Sequence, residues 1–172
     1  IEESTTRPTV DRVKENLFNI LMPYLPDADV CDFFSGSGSL CIEALSRGAA
    51  SAYFVEKNPK AMAVIKRNLK KTKLEDRAHL YQGSYEEAIA YFDQKGLSFD
   101  ILFLDPPHAS DFAKDVLKRI KNLDICKDDG IIIVEHHTKQ VFEEEIAGFW
   151  RYRQKKYGNT TLSFYTRRED ES

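Results

Sequence analysis

Two short stretches carry residues that could do chemistry together. The first is Asp105-Pro106-Pro107-His108, at the end of an apolar run over residues 99–104. Two consecutive prolines fix φ and supply no N–H donor, so their carbonyls project from a stiff loop. Asp105 adds an acceptor at the same point. Such a cluster takes the two hydrogens of an exocyclic amine and aims the nitrogen lone pair at an electrophilic methyl. That work is positioning and charge stabilisation more than strong base catalysis. An aniline-like amine needs no early deprotonation, because it becomes acidic once methylated. His108 would flank or stack on the ring that bears the amine. Alone, the tetrapeptide could also be a plain strand-to-helix loop.

The second stretch is VCDFFSGSGSL, residues 30–40. A short buried strand leads into a turn with Gly36 and Gly38, then into a helix. That is how open α/β sheets present backbone to a nucleotide-like ligand. The glycines permit positive φ and close approach of a ligand to the main chain. The turn by itself is a weak signal. Cys41 stands where the dinucleotide fingerprint has its third glycine, which counts against a nicotinamide enzyme. Glu56 ends the next apolar run, eighteen residues after Gly38. It could accept hydrogen bonds from both ribose hydroxyls, which suits NAD and S-adenosylmethionine equally, or it could be a solvated acid. Taken together, two strand ends with such residues imply one cofactor pocket beside one reaction centre.

The elements that position these residues alternate. Val10, Val13, Leu17, Ile20 and Leu21 fall on one helical face after an extended polar arm over residues 1–9, and Pro23 and Pro26 end that helix. Strands are expected over 29–34, 52–55, 78–82, 99–104 and 130–134. Helices are expected over 39–47, after Asn58-Pro59, from the capping box at Ser84 to about 93, and around Phe112, Val116, Leu117 and Ile120. A short helix is expected near 139–144. The tail reads as two strands around the turn sequence Tyr157-Gly158-Asn159-Thr160. Nearly all-apolar strands between helices argue a doubly wound, mostly parallel sheet with an antiparallel C-terminal hairpin at one edge.

A chain of 172 residues with 42% hydrophobic and 31% charged residues suits one soluble domain, residues 1–172. No apolar run reaches the ~20 residues of a membrane helix, and no secretory leader opens the chain. Cys31, Cys41 and Cys126 are odd in number and lack metal-ligand spacing, as for reduced buried thiols in a cytoplasmic protein. A net charge of −3 requires any nucleic-acid footprint to be local. Arg151, Arg153, Lys155 and Lys156, interleaved with Tyr152 and Tyr157, form either such an RNA patch or a solvated edge strand. The basic residues Lys66, Arg67, Lys70, Lys71 and Lys73 read as a solvated helix face. His136-His137 has no Cys or Glu at ligand spacing, so no metal is expected, and the pair either lines the substrate side of the pocket or has no role.

Asp-Pro-Pro followed by a ring residue resembles the motif of amino-methyltransferases that use S-adenosylmethionine. RPTVDRVKENLFNIL, DFFSGSGSL, EALSRGA, VEKN, FLDPPH and YGNTTL, in that order over almost the whole chain, resemble the RsmD family. These are bacterial methyltransferases acting on guanine N2 in 16S ribosomal RNA. The resemblance implies a Rossmann-like class I methyltransferase fold of seven strands. It implies S-adenosyl-L-methionine as cofactor and S-adenosyl-L-homocysteine as product. Ser35, Gly36 and Gly38 would cradle the methionine part, with Asp32 and Phe33 at the same strand end. Glu56, with Lys57, would hold the ribose, and Gly83 and Ser84 would lie near the adenine. Asp105, Pro106 and Pro107 would grip the guanine amine beside His108. Thr9 and Arg12 would close over the pocket, with Arg7 toward the substrate. The implied partner is 16S ribosomal RNA or a small-subunit assembly particle, and the implied protein a cytoplasmic monomer without membrane contact. Three features depart from the family pattern. His108 replaces an aromatic residue and can titrate near neutral pH. Cys41 replaces a glycine. The basic N-terminal hairpin expected before Arg7-Pro8-Thr9 has only six residues available, so it is truncated or absent. Methylation of adenine N6 or a protein glutamine, and a non-catalytic RNA-binding assembly factor, remain as alternatives.

Overall fold

The computed structural model describes residues 8–107 and 110–167, with side chains from Asp11 onward. In chain order the elements are α1 (Pro8–Leu21), β1 (Asp29–Asp32), α2 (Ser39–Ser46), β2 (Ser51–Glu56) and α3 (Pro59–Thr72). There follow β3 (Ala78–Gln82), α4 (Tyr85–Lys95), β4 (Phe99–Leu104), α5 (Phe112–Ile120) and β5 (Cys126–His137). The chain closes with β6 (Glu145–Ile146), β7 (Phe149–Tyr157) and β8 (Thr160–Thr166).

The strands form one sheet in the order β3-β2-β1-β4-β5-β8-β7-β6. The first five pair in parallel, and β8, β7 and β6 pair antiparallel. Strand order reverses between β1 and β4. In an open α/β sheet that reversal opens a crevice at the carboxyl ends of the two strands. The ends of β1, β2 and β4 carry the glycine turn, Glu56 and Asp105, so the topology gathers them there.

Each face of the sheet is covered. Val13, Leu17, Phe18 and Leu21 of α1 pack with α2 and α3 against Ile101, Phe103, Ile133 and Phe164. Ala88, Ile89 and Phe92 of α4 pack with Val116, Leu117 and Ile120 of α5 against Leu102, Ile132 and Tyr165. The doubly buried β4 explains its lack of alternation.

Local chemistry fixes the helix ends. Asn58 Oδ1 accepts the N–H groups of Lys60 and Ala61, and Pro59 opens α3. Ser84 and Glu87 close a reciprocal capping box on α4. Two arginines close helix C-termini from a distance. Arg77 donates to the carbonyl of Leu45 in the last turn of α2 and to that of Ala49 just past it. Arg167 donates to the carbonyl of Ile120 at the end of α5, to those of Lys121 and Leu123 past it, and to that of Cys126 at the start of β5.

Several expectations are corrected. The sheet has eight strands, not seven, because the two-residue β6 pairs with Phe149 and Trp150 outside the hairpin. The arm does not stay extended to residue 9: α1 begins at Pro8, whose fixed φ suits a first helical position. β1 stops at Asp32 rather than Phe34, and β5 runs from Cys126 through His137. No helix forms over 139–144. Thr138 N–H bonds to the Asn159 carbonyl, Gln140 N–H to the His137 carbonyl, and the Gln140 side chain to the Ser110 carbonyl. These tertiary bonds outcompete a local helix. α5 forms where Phe112, Val116, Leu117 and Ile120 marked a helix, with Phe112 37% exposed and the other three buried.

Candidate active site

Two cavities open at the carboxyl ends of the central strands, and they share one wall. The larger, about 490 Å³, is lined by Phe33, Phe34, Gly36, Glu56, Lys57 and neighbours from the start of α4. The smaller, about 260 Å³, is lined by Glu135, His136, His137, Gln140 and the turn residues Asn159 and Thr160. Asp105, Pro106 and Pro107 line both. The loop is braced from behind, since the Pro107 carbonyl accepts the Ser110 N–H and the Ser110 hydroxyl at 2.8 Å.

The floor of the larger cavity is the turn after β1. Gly36 has φ +57 and open space where a side chain would stand. Its N–H donates to Glu56 Oε1 at 2.8 Å, while Glu56 Oε2 accepts the Asn58 N–H at 3.0 Å. Gly38, Ser35 and Asp32 do not line the cavity but build the turn beneath it. Gly38 has φ +84, and a Cβ there would meet Phe54 at 3.0 Å and Ile65 at 3.2 Å. The Ser35 hydroxyl donates to the Asp32 carbonyl, and Asp32 Oδ1 accepts the Phe34 N–H. Cys41 is fully buried and its thiol points at the Tyr53 carbonyl, so it packs instead of facing ligand. Gly83 and Ser84 line the cavity beside Glu56.

An aromatic wall, missed by sequence reasoning, completes this cavity. Phe34 and Phe112 lie parallel with centroids 6.2 Å apart, and Tyr85 sits 5.4 Å from one ring and 5.3 Å from the other. The Tyr85 hydroxyl donates to Asp115 at 2.7 Å, which fixes the ring. The second Phe of the DFFSGSG run was the one available signal; Tyr85 and Phe112 read as ordinary helix residues.

Acids converge on the shared wall. Asp32 is buried, and burial, offset partly by the Phe34 N–H and reinforced by Glu56 and Glu135, pushes its carboxyl up to about 7. Asp105 opens to both cavities, yet the protein packed around it, then Glu135 and Asp32, hold it well above the usual carboxylate range. Burial also raises Glu135. His136 is committed to a chain of bonds. Gln154 donates to the Ser163 hydroxyl, which lies 2.8 Å from His136 Nε2, while His136 Nδ1 lies 2.9 Å from the His137 carbonyl. Burial lowers its pKa, consistent with a neutral ring whose Nδ1–H donates. Among the described residues no group of three His, Cys, Asp or Glu is placed to hold a metal.

Arg12 stands at the hairpin rather than at either cavity, its guanidinium 5.8 Å above the Tyr157 ring. Arg7, His108 and the Thr9 side chain lie outside the described residues. The strand β7 carries an exposed run from Tyr152 to Lys156, and its turn meets the smaller cavity at Asn159 and Thr160.

The chain is similar to a family model, to curated relatives and to solved structures. The family model described as "Conserved hypothetical protein 95" matches residues 1–166. "Ribosomal RNA small subunit methyltransferase D" of Escherichia coli K12 is 32% identical over 94% of this chain and 79% of its own length. The protein of that name from Haemophilus influenzae is 38% identical over 75% of this chain and 67% of its own. Among solved structures, a conserved hypothetical protein of Streptococcus pyogenes superposes with TM-score 0.83 and 33% identity, covering 90% of this chain and 95% of the other.

Proposed function

We propose a function from one premise: the chain belongs to the RsmD family of ribosomal RNA small subunit methyltransferases. The protein is an S-adenosylmethionine-dependent N-methyltransferase whose substrate is the exocyclic N2 amine of a guanine in small-subunit (16S) ribosomal RNA. One observation carries this reading: a single rigid Asp105-Pro106-Pro107 wall stands between a larger and a smaller cavity.

The residues of the larger cavity fit the cofactor. The parallel Phe34 and Phe112 rings and Tyr85 supply an apolar wall for a purine. Glu56 offers carboxylate lone pairs for a ribose diol while its two bonds to Gly36 and Asn58 hold it still. Gly36 leaves the backbone open to the amino-acid end. Asp32, Asp105 and Glu135 are acids whose pKa values are raised in the absence of a cation, so a bound cation would favour their ionised forms and be held by them together with Glu56. S-adenosylmethionine supplies an electrophilic methyl on a positively charged sulfur.

The smaller cavity receives the base, unstacked from its RNA. Asp105 accepts from the amine, and among the described bonds of the loop the Pro107 carbonyl is taken while that of Pro106 is not. The prolines keep both acceptors in place without reorganisation. The developing positive charge on the amine nitrogen falls next to the Asp105 carboxylate, which stabilises it. Arg153, Lys155, Lys156 and Tyr152 lie exposed on β7, which leads to the cavity mouth, and offer phosphate and stacking contacts to single-stranded RNA.

The test is product mapping. The protein is incubated with methyl-labelled S-adenosylmethionine and small ribosomal particles from cells lacking the gene, and nucleosides are resolved by mass spectrometry. Label in N2-methylguanosine is expected. Label in N6-methyladenosine or in protein glutamine, with none in guanosine, overturns the assignment.

A further inference from the structure

Asp105 meets the base, while the second carboxylate of the smaller cavity, Glu135, has so far only a share in the acidic field. Glu135, still within β5, follows Val134, which is in register with Leu104, so it lies beside Asp105, the first residue past β4. Such strands run about 4.8 Å apart. Both side chains line the smaller cavity. Behind Glu135 the wall is apolar, formed by Leu17, Ile133 and Leu162. Among the described residues no hydrogen-bond or ion-pair partner meets its carboxylate. A carboxylate set against apolar side chains and lacking donors is costly, unless a ligand brings the donors with it. Two of the cavity's polar side chains are already committed, His136 to Ser163 and its own strand and Gln140 to Ser110.

Two adjacent acceptors on one wall match a base edge with two adjacent donors. Guanine presents that edge, its ring N1–H beside the N2 amine. Adenine presents an amine beside the bare N1 acceptor, and a second carboxylate would repel that lone pair. We infer that Glu135 is the specificity-determining residue that accepts the N1–H of the target guanine while Asp105 holds the amine. This inference rests on the guanine-N2 reading. It gives each carboxylate one donor and explains why a second acid stands where charge is hard to keep.

The experiment separates the amine from the N1–H. At the guanine that product mapping identifies, the RNA is rebuilt by ligation with 2,6-diaminopurine, which keeps the 2-amine, replaces N1–H with a bare acceptor and exchanges the 6-oxo group for an amine. Comparing the unaltered enzyme with Glu135→Gln isolates the N1 position. The unaltered enzyme should prefer guanine by roughly tenfold to a hundredfold in kcat/KM. Glu135→Gln can turn an N–H toward that acceptor, so the preference should fall to within about threefold of unity or invert, with calorimetric affinity for S-adenosylhomocysteine unchanged. If Glu135→Gln slows both substrates alike and keeps the guanine preference, Glu135 does not read the base edge. If the unaltered enzyme yields no N2-methylguanosine at all, the functional reading falls first and takes this inference with it.

Discussion

Glu56 accepts the main-chain N–H of Gly36 at 2.8 Å from twenty residues further along the chain. Its other oxygen takes the N–H of Asn58, the residue that caps α3. One carboxylate at the end of β2 therefore holds both the glycine turn after β1 and the start of the next crossover. The turn is shaped by a distant acid as well as by its own glycines.

Removing that acid should loosen the floor of the cofactor cavity. Glu56→Ala is expected to weaken S-adenosylmethionine affinity by roughly tenfold to a hundredfold, about the worth of one or two charge-assisted hydrogen bonds. Isothermal calorimetry measures this directly. Unchanged affinity would mean that Glu56 contacts neither turn nor ligand in solution.

The two glycines of the turn should fail in different ways. A methyl on Gly38 meets Phe54 and Ile65 at a positive φ, so Gly38→Ala should destabilise the fold by about 1–3 kcal/mol. Gly36→Ala meets nothing, and its backbone strain costs only about 1 kcal/mol. Its larger effect should fall on cofactor affinity, since Gly36 lines the cavity and Gly38 does not. Thermal unfolding and calorimetry on both variants give the comparison.

Asp32 predicts a pH dependence of stability. Its folded pKa, about 7, lies above the ordinary 3.8. The folded state therefore binds this proton more tightly than the unfolded state does. Relative stability from this group is greatest below pH 3.8, declines as pH rises to about 7, and stays low above that. Asp32→Asn keeps an acceptor for the Phe34 N–H and removes the buried charge. It should raise the unfolding free energy at pH 8, by no more than ~4 kcal/mol at 1.36 kcal/mol per pKa unit, and the thermal midpoint with it. The advantage should vanish near pH 4. Equal gains at both pH values would show that the charge is not the cause.

The exposed lysines of β7 predict a salt effect. If Lys155 and Lys156 touch phosphates, replacing both with Ala should weaken RNA binding and flatten its salt dependence. The slope of log K against log salt should shrink by about 0.7 for each lost contact. Affinity for S-adenosylhomocysteine should not change. An unaltered slope would leave these lysines as a solvated edge.

Most of the framework was legible because its signals are local. Asn58-Pro59 and the Ser84 capping box mark helix starts through bonds within three residues, and both helices begin there. The apolar run of β4 gave its bounds because both faces are covered. Contacts between distant segments were not legible. Residues 139–144 have helical spacing, but Asn159 and Ser110 hold the neighbouring backbone and the Gln140 side chain. Phe112 has core spacing on α5, yet it belongs to an aromatic wall whose other members come from the β1 turn and α4. Arg77 and Arg167 cap helices that end up to 47 residues earlier, which no local pattern announces. At the site, the strand ends carrying Gly36, Glu56 and Asp105 were readable from spacing. That Asp105 faces two cavities, with Glu135 beside it, depends on the β4–β5 register.

The central claim is that Asp105 acts on the amine at a wall between cofactor and base. The most direct measurement pairs two readings on Asp105→Ala: label transfer from S-adenosylmethionine to small-subunit particles, and calorimetric affinity for S-adenosylmethionine. Transfer should fall by about 10²-fold or more, the scale of losing one charge-stabilising group, while affinity changes by less than about tenfold. Transfer at the unaltered rate, or an equal collapse of both readings, would contradict the claim.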